Sequence, residues 1–234
     1  MISKCPGQNT QFWGPDDIYS VECPTCGNSV EFFKDDIRRR CKKCGHLFLN
    51  PKLNLGCARW CQYADQCVGN MDKEEFKEIV VAGMKGFYGE EQDKIDQSLH
   101  ILGFAEEILE QENGHPQVVI AAAALYSIGV YERGKKAEKS EVGDKGKEKF
   151  PAVRDILERS GAQEEIIEEV CRILEGHEHP GKEDTLNGRI VNDAYQLACL
   201  KEESEGKGKA KVKHDIHGRF LTATGKKMAE SFAL

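Results

Sequence analysis

The chain has 234 residues, and ten of them are cysteines. Its 33 basic and 40 acidic residues give a net charge of −7, which argues against a protein that binds nucleic acid or anionic lipid across its whole surface. No stretch approaches the roughly 18 consecutive apolar residues of a transmembrane helix, and the first residues lack the apolar core of a signal peptide. We therefore expect a cytoplasmic protein whose partners include neither a membrane nor nucleic acid.

The cysteines divide the chain into two parts. Eight of them lie in the first 67 residues, and only Cys171 and Cys199 lie in the remainder. In a reducing cytosol, clustered thiols more often bind metal than form disulfides, whereas a secreted disulfide-rich module is the alternative. We expect a cysteine-rich module over residues 1–70, a helical domain over 72–204, and a lysine- and glycine-rich linker with a short helix over 205–234.

Four of these cysteines occur in two CxxCG turns that are separated by 14 residues. The turns contain Cys23, Cys26, Cys41 and Cys44. Two such turns supply four thiolates for a tetrahedral zinc ion, with each glycine in the left-handed conformation. The SVEFFKDD segment between them predicts a strand and a turn, so residues 21–49 resemble a zinc ribbon, with His46 as a possible substitute ligand. A closed site of this kind predicts a structural role, and binding of a protein partner through the ribbon surface is the alternative.

A second group of cysteines follows a different spacing. Cys57 and Cys61 would share one helical face, Cys67 lies further along, and Cys5 is left to complete a set of four. Soft thiolates at these spacings suit a 4Fe–4S cluster or a second zinc ion, and unliganded structural thiols are the third interpretation.

From residue 72 onward the apolar residues have the periodicity of helices. Asp72 predicts the N-cap of a first helix. The apolar positions of a second helix recur every three or four residues, at Ile95, Leu99, Leu102, Ala105 and Leu109. This spacing predicts one buried face. The next segment, Gln117–Val130, is apolar nearly all round and predicts a helix in the centre of the domain.

The later segments alternate between charged and helical patterns. Tyr131–Lys149 carries alternating charges and little apolar material, so we expect a surface loop. Further helices are expected from Pro151 to Gly161, over Gln163–Glu175 and from about Thr185 to Glu203. Thr224 is expected to cap a short terminal helix.

Four ionisable residues are candidates for a site in the helical domain. They are His100, His177, His179 and Asp193. Taken alone, Asp193 lies in the apolar stripe of its helix, where an acid is more often a buried cap or an ion-pair partner than a metal ligand. The two late histidines follow a helix C-terminus, where the helix dipole favours them. Their order along the chain is more informative than any one of them.

That order resembles the HD-domain superfamily of metal-dependent phosphohydrolases. The matching segments are HILGFA, VVIAAAALYSIG, ILEGHEHPG and GRIVNDAYQLA, across about residues 95–204. The resemblance implies a helical bundle in which a first histidine, an adjacent His-Asp pair and a late aspartate hold a divalent metal. It puts His100 first and Asp193 last, with His177 and His179 where many members hold a second metal or contact phosphate. The N-terminal part resembles the cysteine-rich leader of some HD-domain proteins from anaerobic bacteria.

At the adjacent pair the sequence departs from the family pattern, because Tyr126 and Ser127 replace histidine and aspartate. A neutral phenol and a serine hydroxyl bind hard divalent ions poorly at neutral pH, whereas imidazole and carboxylate bind them well. Attack on phosphorus by a metal-bound water needs that centre. We therefore expect little or no phosphohydrolase activity.

Three interpretations of the helical domain are open. In the first, an altered hydrolase keeps one metal on His100, Asp193 and a late histidine, and His177 or His179 completes the shell or protonates the leaving group. In the second, the domain is noncatalytic and binds a nucleotide or another phosphorylated ligand beneath the basic loop that contains Arg133. In the third, an iron–sulfur or zinc sensor at the N-terminus acts through the helical domain on a protein partner.

The sequence as a whole predicts a mainly α protein. Its larger part is an HD-domain-type helical bundle, and a small β zinc ribbon within a cysteine-rich, metal-binding module precedes it. We prefer a noncatalytic ligand-binding or regulatory role to that of an altered hydrolase.

Overall fold

The computed structural model of the protein describes residue 11 and residues 13–56, 73–137, 149–176, 185–207 and 216–232. The chain divides into two compact units, residues 1–70 and residues 71–234. None of the helices in the described ranges has the length and apolar character that crossing a membrane requires. The protein is mainly helical, with a few short antiparallel strands in the first unit.

The first unit contains two antiparallel hairpins, which we call the ribbon unit. Its strands are β1 (Ile18–Glu22), β2 (Ser29–Phe33), β3 (Arg38–Arg40) and β4 (Leu47–Leu49). Strand β1 pairs with β2, and β3 pairs with β4. The strand predicted within SVEFFKDD is confirmed as β2. Strands β1 and β3 were not predicted, and each precedes one of the CxxCG turns.

The apolar core of the ribbon unit is small. It consists of Val30 and Phe32 together with the buried Cys23 and Cys41, and Phe48 packs its ring edge-on against Phe32 at 5.3 Å. A core of this size does not stabilise a module without a metal or a disulfide. From the described residues we therefore expect the ribbon unit to need its cysteines for stability.

Buried Asn50 connects the two hairpins. The Tyr19 hydroxyl of β1 donates to the Asn50 side-chain oxygen, and the Asn50 amide donates to the carbonyls of Phe33 and Asp36 at 3.2 and 2.9 Å. A buried amide whose donors and acceptor are all paired fixes the geometry around it. These bonds hold the end of β4 against the first hairpin.

The second unit, which we call the helical unit, is built from helices. They are α1 (Lys73–Tyr88), α2 (Gln92–Leu109), α3 (Pro116–Ala124), α4 (Tyr126–Ala137), α5 (Pro151–Arg159), α6 (Glu164–Gly176), α7 (Leu186–Lys207), α8 (Ile216–Arg219) and α9 (Ala223–Phe232). The periodic positions predicted for the second helix lie on α2, where all are buried except Leu99, which is partly buried.

Helix α3 forms the centre of the helical unit. Residues Val118 to Ala124 are essentially without solvent exposure, and α3 packs against α1, α2, α6 and α7. Its run of four alanines lets neighbouring helices approach from every side, because a small side chain adds little to the helix radius. The predicted central helix is therefore confirmed, although the structure divides it at Leu125 into α3 and α4.

The predicted loop from Tyr131 to Lys149 is wrong at its beginning. Helix α4 continues through these residues as far as Ala137. One reason is Glu132, whose carboxylate accepts hydrogen bonds from the N–H groups of Ala152 and Val153 at 2.9 and 3.4 Å. N–H groups in the first turn of a helix have no acceptor within the helix, so the Glu132 carboxylate caps α5.

The terminal helix begins one residue earlier than the predicted cap. Helix α9 starts at Ala223, and the Thr222 hydroxyl accepts from the N–H of Gly225 at 2.9 Å. Thr222 is therefore the N-cap, and Thr224 instead donates its hydroxyl to Glu112 of the α2–α3 connection at 2.9 Å. The short helix α8 was not predicted.

Candidate functional site

The four cysteines of the ribbon unit lie in two matching turns. Each turn closes where a glycine N–H donates to the carbonyl of the first cysteine, from Gly27 to Cys23 and from Gly45 to Cys41, both at 2.9 Å. The two glycines have φ angles of +65° and +76°. Residues with side chains rarely adopt this conformation, which explains the glycine after each CxxC. Each turn brings its two sulfur atoms to the same side.

The four sulfur atoms form one compact cluster. All of them lie within 4.8 Å of one another, with 3.6 Å between Cys23 and Cys44 and 3.7 Å between Cys26 and Cys41. Four thiolates at about 2.3 Å from a tetrahedral ion are about 3.8 Å apart. The spacing thus fits four-thiolate coordination, and the cluster can hold a metal ion such as zinc.

The surroundings of the cluster favour the thiolate form at Cys41 but not at Cys44. A backbone hydrogen bond from His46 lowers the pKa of Cys44, yet desolvation and hydrogen bonds to the other three sulfur atoms outweigh it and raise the pKa. The backbone N–H groups of Cys44 and Lys43 donate to the Cys41 sulfur and lower the pKa of that thiol to about 6. The Asn28 side-chain amide also donates to this sulfur, at 3.8 Å. Thiolates, and not thiols, bind metal ions. Because cysteines would fill all four positions of a tetrahedral ion, none stays open for a substrate, and the cluster has the donor set of a structural site.

Six of the predicted site residues lie outside the described residues. They are Cys5, Cys57, Cys61, Cys67, His177 and His179. The second cysteine site, with an iron–sulfur cluster or zinc, therefore stays a prediction, and so does any role of the late histidines. Of the other two cysteines, Cys171 is buried in the helical core, where desolvation raises its pKa to about 11.

The two described residues of the predicted helical-domain site have opposite environments. His100 is exposed on α2, whereas Asp193 on α7 has no solvent exposure. Among the described residues, the ribbon cysteines are the one group of three or more histidine, cysteine or acidic ligand atoms close enough to hold a metal. The described part of the helical unit therefore does not fit the metal centre that the family resemblance implies.

The carboxylate of Asp193 binds the C-terminal segment instead. Oδ2 accepts from the N–H and the hydroxyl of Thr222, both at 2.7 Å, and Oδ1 accepts from the N–H of Leu221 at 2.9 Å. The Asn192 amide also donates to Oδ1, at 3.1 Å. Both oxygens are thus used by neighbouring donors. Asp193 is a buried acceptor that fixes the start of α9, as its place in the apolar stripe of its helix suggests, and the described structure does not show it as a metal ligand.

The replaced pair Tyr126-Ser127 lines a cavity of about 630 Å³ in the helical unit. The cavity lies between α1, the start of α2, α4 and α7. Five aromatic residues form much of its wall: Phe87, Tyr88, Tyr126, Tyr131 and Tyr195. Its volume is within the roughly 300–1,000 Å³ of small-molecule sites. The positions where the family resemblance implies metal ligands thus contribute a ring and a hydroxyl to a binding-sized cavity.

The polar groups of this cavity are mostly neutral. Ser127 and Gln97 contribute a hydroxyl and an amide, while Glu91 and Lys94 contribute one charge of each sign. Tyr126 is buried and its ring packs against Tyr195, with 4.6 Å between centroids. Burial raises the pKa of Tyr126 far above its usual value, so its phenol stays protonated at any physiological pH.

Sequence reasoning identified Tyr126 and Ser127 but missed the other walls of the cavity. Tyr131 was placed in a loop, although continuing the helical period puts it one turn after Ser127 on the same face. Phe87 and Tyr195 carry no local signal, because they come from helices more than a hundred residues apart in the sequence.

Comparisons of the chain with known protein families, with curated proteins and with solved structures find no match. The resemblance to HD-domain proteins therefore stays a prediction from the sequence segments around His100, Tyr126, His177 and Asp193. Two geometric features bear on function: the closed four-cysteine cluster in the ribbon unit and the aromatic cavity in the helical unit.

Proposed function

We propose that the protein is a noncatalytic small-molecule-binding protein, with an HD-type helical unit that carries the binding cavity and a ribbon unit stabilised by zinc. The observation that carries this proposal is the cavity at Tyr126 and Ser127. The resemblance places the catalytic His-Asp pair at these two positions, and their side chains here offer packing and hydrogen bonds in place of metal coordination.

The position of Asp193 supports a role without catalysis. A metal ligand must direct a lone pair of its carboxylate at the ion, but both oxygens of Asp193 accept hydrogen bonds from the C-terminal segment or from Asn192. Binding a metal there would leave the N–H and the hydroxyl of Thr222 buried without this acceptor, at a cost of about 1–3 kcal/mol each. Asp193 thus serves the packing of the fold, and a metal centre for hydrolysis would lack its late aspartate ligand.

The cavity has the features that binding needs. Its walls come from α1, α4 and α7, which are rigid elements packed on the central helix α3 and not loops. Several aromatic rings give a ligand large contact area at little cost in side-chain entropy, and the hydroxyls of Tyr126 and Ser127 fix its orientation. In this role the helical unit binds and orients a molecule and transfers no group.

Zinc is the ion that suits the ribbon cluster best. Four thiolates in a tetrahedron are the donor set of structural zinc sites, and zinc supplies folding energy there without redox chemistry. Metal analysis of protein purified without oxygen tests this assignment and the second cysteine site together. Zinc without labile sulfide would eliminate the iron–sulfur hypothesis, and absence of zinc would contradict the ribbon assignment.

The catalytic alternative is tested with the full-length protein. We expect no hydrolysis of phosphomonoesters or nucleotides above the protein-free rate when Mn²⁺ or Fe²⁺ is added. His100→Ala is the decisive variant, because this exposed side chain can be removed without disturbing the core. His115→Ala, at another exposed histidine, is the matched control. Turnover that disappears in His100→Ala and persists in His115→Ala would overturn the proposal.

Binding is tested with a fragment library and ligand-observed NMR. The variant Phe87→Ala with Tyr131→Ala removes two rings at the mouth of the cavity, and Leu186→Ala removes a comparably exposed apolar side chain elsewhere. We expect fragments that bind the wild type and Leu186→Ala but lose binding in the double variant. If no fragment distinguishes these proteins, the cavity is not a binding site.

A further inference from the structure

We propose that the aromatic cavity takes an uncharged, planar aromatic molecule with hydrogen-bonding groups on its edge, and that it selects against phosphorylated ligands. This inference rests on the proposed binding function and names the class of ligand. It departs from the phosphorylated ligand that the family resemblance suggests. The argument uses the mouth of the cavity, its floor and its charge.

The mouth of the cavity is aromatic and exposed. Phe87, Val130 and Tyr131 line it with 38, 43 and 49% of their surfaces accessible to solvent. The rings of Phe87 and Tyr131 are 6.1 Å apart and nearly perpendicular. Large apolar side chains that cluster at a cavity, and are not scattered over the surface, mark a binding site. A flat ring can cover one of these faces and meet the edge of the other, which are the favoured aromatic geometries.

The floor of the cavity carries neutral hydroxyl groups. Tyr88, Tyr126, Tyr195 and Ser127 contribute them. Burial raises the pKa of all three tyrosines, so none of them becomes an anion at neutral pH. Hydroxyls both donate and accept, which matches a ligand edge that presents donors and acceptors side by side.

The charge of the lining does not favour a strongly anionic ligand. Among the lining residues, Lys94 is the base and Glu91 is the acid, and they lie within one helical turn of each other. Phosphate sites place several cations around a dianion. Here the Glu91 carboxylate lies at the first turn of α2 beside Lys94, and the nearby Arg133 interacts with Tyr126. A cationic ligand would be repelled by Lys94. It also could not stack on the face of Tyr126 that the Tyr195 ring covers.

Size agrees with this class of ligand. A volume of about 630 Å³ accommodates a molecule of two or three fused rings with substituents. The hydroxyl groups lie at the floor and the exposed rings lie at the mouth. A planar ligand therefore enters edge first, with its polar edge at Ser127 and its faces against Phe87 and Tyr131.

The experiment compares matched pairs of compounds that differ by an anionic group. Adenosine is compared with AMP, and indole with indole-3-acetate, by titration calorimetry on zinc-loaded full-length protein. We expect the neutral member of at least one pair to bind about tenfold more tightly than its anion. Phe87→Ala with Tyr131→Ala should weaken that binding about tenfold or more, and Leu186→Ala should leave it unchanged. Circular dichroism melting verifies that each variant is folded.

The outcomes separate this inference from the proposed function. Equal or tighter binding of the anions, or competition by inorganic phosphate, overturns the selection against phosphate. Absence of binding by both neutral compounds at about 1 mM overturns the aromatic class, and the proposed function still stands if the fragment library finds another occupant of the cavity. Failure of every fragment, or hydrolysis that depends on His100, overturns the proposed function itself.

Discussion

The interior of the ribbon unit and the interior of the helical unit are built differently. In the described part of the ribbon unit, a core of a few residues surrounds Cys23 and Cys41, so we expect its stability to depend on the four sulfur atoms. In the helical unit, a continuous apolar core extends from Phe76 to Ala229, and no single contact dominates it. We therefore expect coordination chemistry to stabilise the ribbon unit and burial of apolar surface to stabilise the helical unit.

The candidate sites of the two units also differ, because one is local in sequence and the other is assembled from distant residues. The ribbon cysteines occur within 22 residues of sequence, in two turns that fold locally. The cavity of the helical unit is assembled from Phe87 to Tyr195, and it exists only when α1, α4 and α7 are packed together. Loss of metal should therefore remove one unit and spare the other, whereas core substitutions should have the converse effect.

The largest expected effect follows from loss of a ribbon cysteine. Cys23→Ser should abolish binding of one metal ion per chain and unfold the ribbon unit, because structural zinc contributes about 10–16 kcal/mol in comparable small modules. Zinc content by mass spectrometry and the amide NMR spectrum are the measurements. The signals of α1 to α9 should persist.

Cys199→Ser is the matched control for this variant. Its thiol is half-buried on α7, far in sequence from the cluster, so zinc content and the ribbon signals should not change. A ribbon unit that stays folded without metal would contradict the dependence of this unit on coordination.

The next largest effect is expected at Asp193. Asp193→Ala removes the acceptor for the N–H groups of Leu221 and Thr222 and for the Thr222 hydroxyl. Leaving buried donors without partners should lower the free energy of unfolding of the helical unit by about 2–5 kcal/mol. Urea titration followed by circular dichroism measures this loss. Limited proteolysis should release α9 first.

Asp155→Ala is the control for the buried acid. Asp155 is exposed and pairs with Arg159 at 3.1 Å on the surface of α5, so its removal should cost less than about 1 kcal/mol. A similarly small loss at Asp193, together with loss of a metal bound by the helical unit, would instead restore Asp193 as a metal ligand.

Features that depend on local contacts could be predicted from the sequence, whereas features that depend on distant contacts could not. The CxxCG pairs predict the cluster because each turn is determined by residues within five positions of one another. The apolar stripe predicts that Asp193 is buried, but the resemblance made it a candidate metal ligand, because its acceptor role depends on Leu221 and Thr222, which lie 28 and 29 residues away. Strand β3 was missed since three arginines show no alternation, and it forms only by pairing with β4.

The beginning of the predicted loop shows the opposite case. Residues 131–137 look like a loop because they are charged, yet distant partners make them helical. Glu132 caps α5, and Tyr131 contacts Phe87 of α1. Neither partner lies near them in the sequence, so local composition was outweighed by tertiary contacts.

Two glycines of α4 provide an intermediate effect that tests this helix directly. A Cβ on Gly129 would lie 2.9 Å from Leu174 of α6, whereas a Cβ on Gly134 meets no atom within 4 Å. Gly129→Ala should therefore destabilise the helical unit by about 1–2 kcal/mol through overpacking. Gly134→Ala should stabilise it by about 0.5–1 kcal/mol, because alanine favours a helix. Thermal unfolding of both variants distinguishes a helix from a loop at residue 134.

The smallest change in stability is expected for an ion pair on the surface of the helical unit, which involves neither a metal nor buried apolar surface. A hydrogen bond from Arg154 of α5 lowers the pKa of Glu168 on α6. A lowered pKa means that the pair stabilises the fold above the carboxyl's unfolded pKa and loses this contribution as the pH falls through the folded pKa. Glu168 is half exposed, so Glu168→Gln should cost only about 0.2–1 kcal/mol at pH 7 and nothing once the carboxyl is protonated. Urea titrations of both proteins at neutral and acidic pH measure the difference, and 1 M salt should reduce it at neutral pH. A difference that persists at acidic pH would show that Glu168 contributes by packing and not by charge.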